Sequence, residues 1–251
     1  MLIDTHWHVL SSEYDNPDDI IKECFDEGLD KMIINGFDKN SSFEAVSLSK
    51  KYKNVYASIG IGPENIDSYD DDTIDDFKRI INENKIVAIG EIGLDYYWTK
   101  ETKEKQIKVF KSMLQLAKDN NLPVIVHSRD AFEDTYNILK EYNVTGIIHC
   151  FTGSLEIAKM YNKIGFYIGI GGVVTFKNAK KVVEAVKNVD ISNIVLETDS
   201  PYLTPEPYRG KKNKPYYVKH VALKIADIKE MDVKDVIALT SENVLSKFDL
   251  S

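Results

Sequence analysis

The chain has 251 residues, of which 43% are hydrophobic, and a formal net charge of −8. That length suits one large α/β domain, and the charge excludes diffuse coating of nucleic acid by a broad basic surface while leaving room for a local basic patch. Two cysteines, Cys24 and Cys150, make no disulfide framework. The N-terminus lacks a basic n-region followed by a long apolar stretch, and no apolar run reaches the length of a membrane span. A cytoplasmic protein with no membrane partner is the expectation.

Short apolar runs fall at 2–8, 31–37, 55–61, 86–91, 123–128, 145–151, 166–172 and 193–199. Longer helical patterns separate them. In KEKQIKVFKSMLQLAKDNN, Ile107, Phe110, Leu114 and Ala117 recur at helical spacing. Strand–helix alternation means βαβ units and a parallel sheet. Eight such units predict a TIM-type (β/α)8 barrel forming a single domain over 1–251, with an open doubly wound sheet as the alternative. The acidic run at 69–77 reads as a helix start, where Asp stabilises exposed N–H groups. The stretch from Tyr217 to Phe248 reads as two outer helices.

The first run contains DTHWH, residues 4–8. Strand side chains alternate faces, so His6 and His8 point the same way, roughly 7 Å apart, with Asp4 on the same face. Other runs also end in ionisable groups: Glu91, His127, His149 and Asp199. In a barrel, the C-terminal ends of the strands surround one pocket, and polar residues there serve catalysis. Burying so many ionisable groups without partners costs several kcal/mol each, roughly. Divalent metal explains them together. The expected arrangement is two ions, with His6, His8 and Asp199 on the first, His127 and His149 on the second, and Glu91 bridging. The mixed donors suit Zn, Mn or Co, while Mg prefers oxygen-rich sites. Such a centre would attract an anionic substrate and make hydroxide available near neutral pH.

DTHWH, GEIGLDYYW, VIVHSRDA, IIHCFTGS and LETDSPYLTPEPYRGKKNKP resemble, in order and spacing, the TatD family of metal-dependent hydrolases. The resemblance covers essentially the whole chain. It implies an amidohydrolase-like barrel, a one- or two-metal centre and deoxyribonuclease activity. By motif, it implies metal positions at His6, His8, Glu91, His127, His149 and Asp199, and substrate contacts at Arg209 and Asn213. One departure stands out. The family's GxHP motif after the third strand reads GIGPEN here, so Gly62 occupies the position of a histidine.

Beyond the ligands, Arg209, Lys211, Lys212 and Lys214 cluster in 207–218 of an acidic protein and are expected to attract phosphate, an ordinary exposed loop being the plainer reading. Arg129 offers a bidentate phosphate contact or an ion pair with Asp130 or Asp95. The segment Asp95, Tyr96, Tyr97 and Trp98 reads as an aromatic loop at the substrate, either stacking a base or covering a barrel mouth. Glu197 shares a face with Asp199 and is expected to orient a ligand histidine. His220 reads as a surface residue, and the glycines of 168–172 as a place where a strand passes close to the pocket.

These residues predict a hydrolase using a metal-activated water on DNA, with a single-stranded end as the preferred substrate and Asp199 taking or orienting the water's proton. An ester or amide hydrolase such as an aminoacyl-tRNA deacylase shares every one of these features. A binding module with a relict site is the third reading, opposed by the complete ligand set. The oligomeric state is not legible.

Overall fold

The computed structural model describes residues 1–9, 14–82, 85–98 and 100–251. Strands and helices alternate along the chain, and the strands follow the order β1 to β8 in one sheet. Contacts divide the chain into two compact units. The first holds Met1–Ile33, His149–Asp249 and Ser251, and the second holds Ile34–Ile148 and Leu250.

The first unit carries β1 (Ile3–Trp7), α1 (Pro17–Asp26) and the start of β2 (Lys31–Asn35). Asn16 caps α1 by accepting from Asp18 N, and Pro17 occupies the first turn, where its missing N–H costs nothing. From the later part of the chain come α6 (Leu155–Lys163), β7 (Phe166–Ile170), α7 (Lys180–Asn188), β8 (Ile194–Leu196), α8 (Val218–Lys229) and α9 (Val233–Lys247). β7 and β8 run parallel, with Ile168 opposite Ile194 and Ile170 opposite Leu196. These residues, with Val218, Val221, Ile225 and Val236 from the last two helices, are buried. Each such side chain contributes roughly 1.5–3 kcal/mol by leaving water. The two terminal helices match expectation. Asn243 of α9 donates to Ile191 O and Ile194 O, which ties that helix to the start of β8.

The second unit carries the end of β2, α2 (Lys39–Lys51), β3 (Val55–Ile59), α3 (Thr73–Ile81), β4 (Ile86–Asp95), α4 (Lys103–Asp119), β5 (Val124–Arg129), α5 (Phe132–Tyr142) and β6 (Gly146–Ile148). β3, β4, β5 and β6 pair in parallel succession. β3 and β4 are buried at every position, as a parallel sheet covered on both faces requires. Phe110, Met113, Leu114 and Ala117 form the inner stripe of α4. The acidic run does start a helix: Asp70 accepts from Thr73 Oγ1 and Asp72 N, and Lys39 pairs with both Asp70 and Asp76.

β4 is longer than its apolar run predicts, continuing past Glu91 to Asp95. The register against β5 shifts between Ile89 and Ile92. At Gly93, φ is +145° and an added Cβ would lie 2.0 Å from His127 O, so only glycine lets the two strands approach this closely. No helix among the described residues is long and apolar enough to cross a membrane.

Candidate metal centre

In the first unit the alternation of β1 puts Asp4, His6 and His8 on one face, and all three are buried. The backbone then brings Asp199 to them: Asp199 N donates to His6 O at 2.8 Å and His8 N donates to Ser200 O at 2.8 Å. Asp199 leaves β8 with φ +56°, a left-handed conformation that Asp tolerates better than most residues. His6 Nε2 lies 3.1 Å from His8 Nε2, and Asp199 Oδ1 lies 3.8 Å from the former and 3.5 Å from the latter. The His149 ring stacks on His6 at 3.9 Å, and His6, His149 and Asp199 offer ligand atoms within 4.8 Å of one another.

The donor set fits a divalent cation. Ligands about 2.1 Å from a tetrahedral ion stand about 3.4 Å apart, and the three measured separations bracket that value. Two imidazole lone pairs facing each other at 3.1 Å call for a proton or a cation between them. Burial works against the Asp199 carboxylate. The His8 hydrogen bond and the charges of His149 and His6 outweigh it and hold its pKa below the usual range.

Asp4 shares the face of the two histidines but serves as a clamp. It accepts from His6 N at 3.1 Å, Thr198 N at 3.0 Å and Thr198 Oγ1 at 2.6 Å. Full burial pushes its pKa up to about 8 against the lowering effect of those bonds. Glu197 is fully buried, accepts from Cys150 N at 2.6 Å, and stands 3.8 Å from His149 Nδ1. It therefore holds the turn that carries His149. A Cβ at Gly169 would lie 2.2 Å from Glu197 Oε2, so β7 does pass close here, as the glycine run implied.

In the second unit His127 lies between two carboxylates. Its Nδ1 is 3.1 Å from Glu91 Oε1 and its Nε2 is 3.0 Å from Asp95 Oδ2. Burial alone would lower the His127 pKa, but Asp95 and Glu91 outweigh it and push it up to about 10. A ring held by a carboxylate on one nitrogen offers the other as a ligand, the arrangement that orients metal-binding histidines. Glu91 is placed by its own N–H, which donates to Gly36 O at 2.6 Å. Glu64, which the sequence did not single out, belongs to the same electrostatic neighbourhood. Burial raises its pKa, and His127, Asp95, Glu91 and Arg129 all act on it.

Three expected substrate residues need correction or refinement. Asp95 is not in a loop. It ends β4, is fully buried, and has both oxygens committed: Oδ2 to His127, Oδ1 to the N–H groups of Tyr97 and Trp98 at 2.8 Å each. Asn213 is likewise fully buried. It donates to Thr198 O and Tyr202 O and accepts from Lys214 N, so it fastens the loop beside Asp199 and has no face left for substrate. Arg129 makes neither ion pair foreseen for it; its guanidinium lies 3.9 Å over the Tyr97 ring and 5.3 Å from that of Trp98. His220, expected at the surface, is half-buried and packed edge-on against Tyr208 and Tyr217.

The basic loop is anchored to the protein. Arg209 lies 4.0 Å over Phe176 and donates to Thr204 O. Lys211 stands over Tyr208 and Lys212 over Tyr14, each at 5.5 Å. Lys214 pairs with Glu23 at 2.5 Å. Aromatic faces hold these cations without neutralising them, so Arg209, Lys211 and Lys212 keep their charge for an anion.

The TatD related DNase family model matches residues 3–249. The chain is 42% identical to the uncharacterized metal-dependent hydrolase YabD of Bacillus subtilis over 100% of both chains, and 37% identical to the uncharacterized metal-dependent hydrolase YcfH of Escherichia coli over 99% of this chain and 96% of that one. Among solved structures it superposes on YJJV, a TatD homolog from Escherichia coli, with a TM-score of 0.91, 26% identity, and coverage of 99% and 98%. The fold is accordingly a TIM-type (β/α)8 barrel of the amidohydrolase-like kind. With donors suited to divalent cations in both units, this metal-dependent hydrolase belongs to the TatD related DNase family.

Proposed function

We propose that the protein is a deoxyribonuclease that removes nucleotides from a DNA end, with single-stranded ends preferred. The observation that carries this reading is the union, within the first unit, of a metal-donor set and a cationic loop. Asn213 of that loop bonds Thr198 O, the residue before Asp199, so the phosphate-attracting side chains are tied to the carboxylate. In this reading His6, His8 and Asp199 hold one divalent ion, His127 and His149 hold a second, and Glu91 serves both, as the motifs assign. Bound ions of this class supply Lewis-acid polarisation of the phosphoryl group and hydroxide near neutral pH.

The chain's own groups do the rest. Asp199, kept ionised by its histidines, takes or orients the proton of the attacking water. Asp95 keeps the His127 ring oriented through Nε2. Arg209 and Lys211 hold the phosphates of the strand.

The test is metal-stripped protein reconstituted separately with Zn, Mn, Co and Mg, assayed on end-labelled single-stranded DNA beside an aminoacyl ester. Metal-dependent release of nucleotides from one end is expected. Hydrolysis of the ester without hydrolysis of DNA replaces the nuclease reading with a deacylase-like one. Inactivity on both with every metal overturns both.

A further inference from the structure

Tyr97 and Trp98 are 55% and 61% exposed, unusual for large aromatic side chains in a protein that buries most of its apolar residues. Their rings meet edge to face at 4.7 Å. Arg129 covers them, and its charge acts on Glu64 without an ion pair within 4.0 Å among the described residues. The backbone beneath is pinned. Asp95 accepts from the N–H groups of both residues, Tyr96 N donates to Arg129 O, and the Tyr96 hydroxyl donates to Asp134. Two rings thus stand outward on a turn that has little freedom left to lose on binding, which lowers the cost of using them.

We propose that Tyr97, Trp98 and Arg129 form a stacking subsite for the nucleobase adjoining the scissile phosphate. The proposal rests on the nuclease reading and names what that site recognises besides phosphate. A base presents a flat π-face and its backbone an anion, matching two exposed rings beside a guanidinium that lies over them. Every base has such a face, so the subsite tolerates any sequence. Its position follows from Asp95, which holds the turn with one oxygen and the ring of His127 with the other. Trp, Tyr and Arg also dominate protein-binding hot spots. The bond through Asp95 to a candidate metal ligand favours the base.

Trp7 is fully buried, so quenching of tryptophan emission by a bound strand reports Trp98. The full chain is titrated in chelator with oligothymidylate and with an abasic oligomer of equal length. Expected is quenching by oligothymidylate alone, and a binding constant weakened about tenfold by Tyr97→Ala or Arg129→Gln. Equal quenching by both oligomers, or by neither, overturns the subsite, the latter leaving the rings to a protein surface. With the metal-loaded protein, Trp98→Ala lowers kcat/KM about tenfold more for a base-bearing end than for an abasic end. Parallel losses on the two ends overturn the subsite while leaving the nuclease standing. Base-dependent quenching in a protein that hydrolyses no DNA overturns the nuclease alone.

Discussion

Asp95 and His127 share a 3.0 Å hydrogen bond between Oδ2 and Nε2, and the same carboxylate holds the turn at Tyr97 and Trp98 through its second oxygen. One buried side chain thus sets both the tautomer of a candidate ligand and the shape of the adjoining surface. Asp95→Asn keeps the size and removes the charge. Metal affinity is expected to fall about tenfold to hundredfold, the usual effect of losing such an orienting carboxylate. Competition with a chromophoric chelator measures it, and unchanged affinity would free His127 from this dependence.

Glu91→Gln replaces a shared anionic ligand by one neutral oxygen. Metal content of the purified variant should drop and hydrolysis disappear. Full metal content with normal turnover removes Glu91 from the site.

Arg209→Ala combined with Lys211→Ala should raise KM for DNA and flatten its salt dependence by about 0.7 in log–log slope for each phosphate no longer neutralised, with metal content unaffected. An unaltered slope returns the loop to ordinary solvated surface.

Glu23 and Lys214 carry a pH dependence of stability. Burial opposes it, yet the hydrogen bonds from Lys214 and Tyr216 hold the Glu23 pKa below its usual value. A depressed carboxyl stabilises the fold above its unfolded pKa of about 4.3, and that contribution disappears as pH falls through the folded value. Lys214→Met should therefore lower the urea midpoint at pH 6 while changing it less at pH 3. Equal shifts at both pH values would remove the pair from the acid limb.

Gly62 stands where the resemblance implies a histidine, and its backbone is extended, with φ −71° and ψ 159°. An added Cβ would meet Phe37 Cβ at 3.4 Å, an ordinary contact, so the backbone at Gly62 admits a side chain, and the folding of Gly62→His is checked first because the position is buried. A hydrogen bond to a charged phosphate oxygen contributes about 1.5–3 kcal/mol, so a gain of roughly tenfold to hundredfold in kcat/KM on DNA is expected at constant metal stoichiometry. A folded variant with no gain, in a parent active on an ester, favours the deacylase-like reading.

The fold was legible because a parallel sheet buried on both faces needs near-continuous apolar runs, and β3 and β4 show them. Within the first unit, the meeting of His6, His8 and Asp199 was legible from alternation and from strand ends. Asp95 and Asn213 were misjudged because residue type does not reveal which backbone N–H or C=O lies opposite, and each proved to be filled by its own chain. His220 differs for a related reason: besides Tyr217 one helical turn earlier, its cover comes from Tyr208, and no periodicity predicts how that loop tyrosine folds back onto α8. The extension of β4 to Asp95 depended on a close strand approach that only Gly93 permits.

The donors of the first unit lie far apart along the chain. His6 and His8 leave the ribosome before Asp199, which follows His6 by 193 positions. Until that carboxylate arrives and its N–H pairs with His6 O, the early histidines are loose imidazoles on an unfinished chain. Capture of the ion by this donor set therefore waits until Asp199 has been synthesised, and a chain cut short before Asp199 has no carboxylate to complete it.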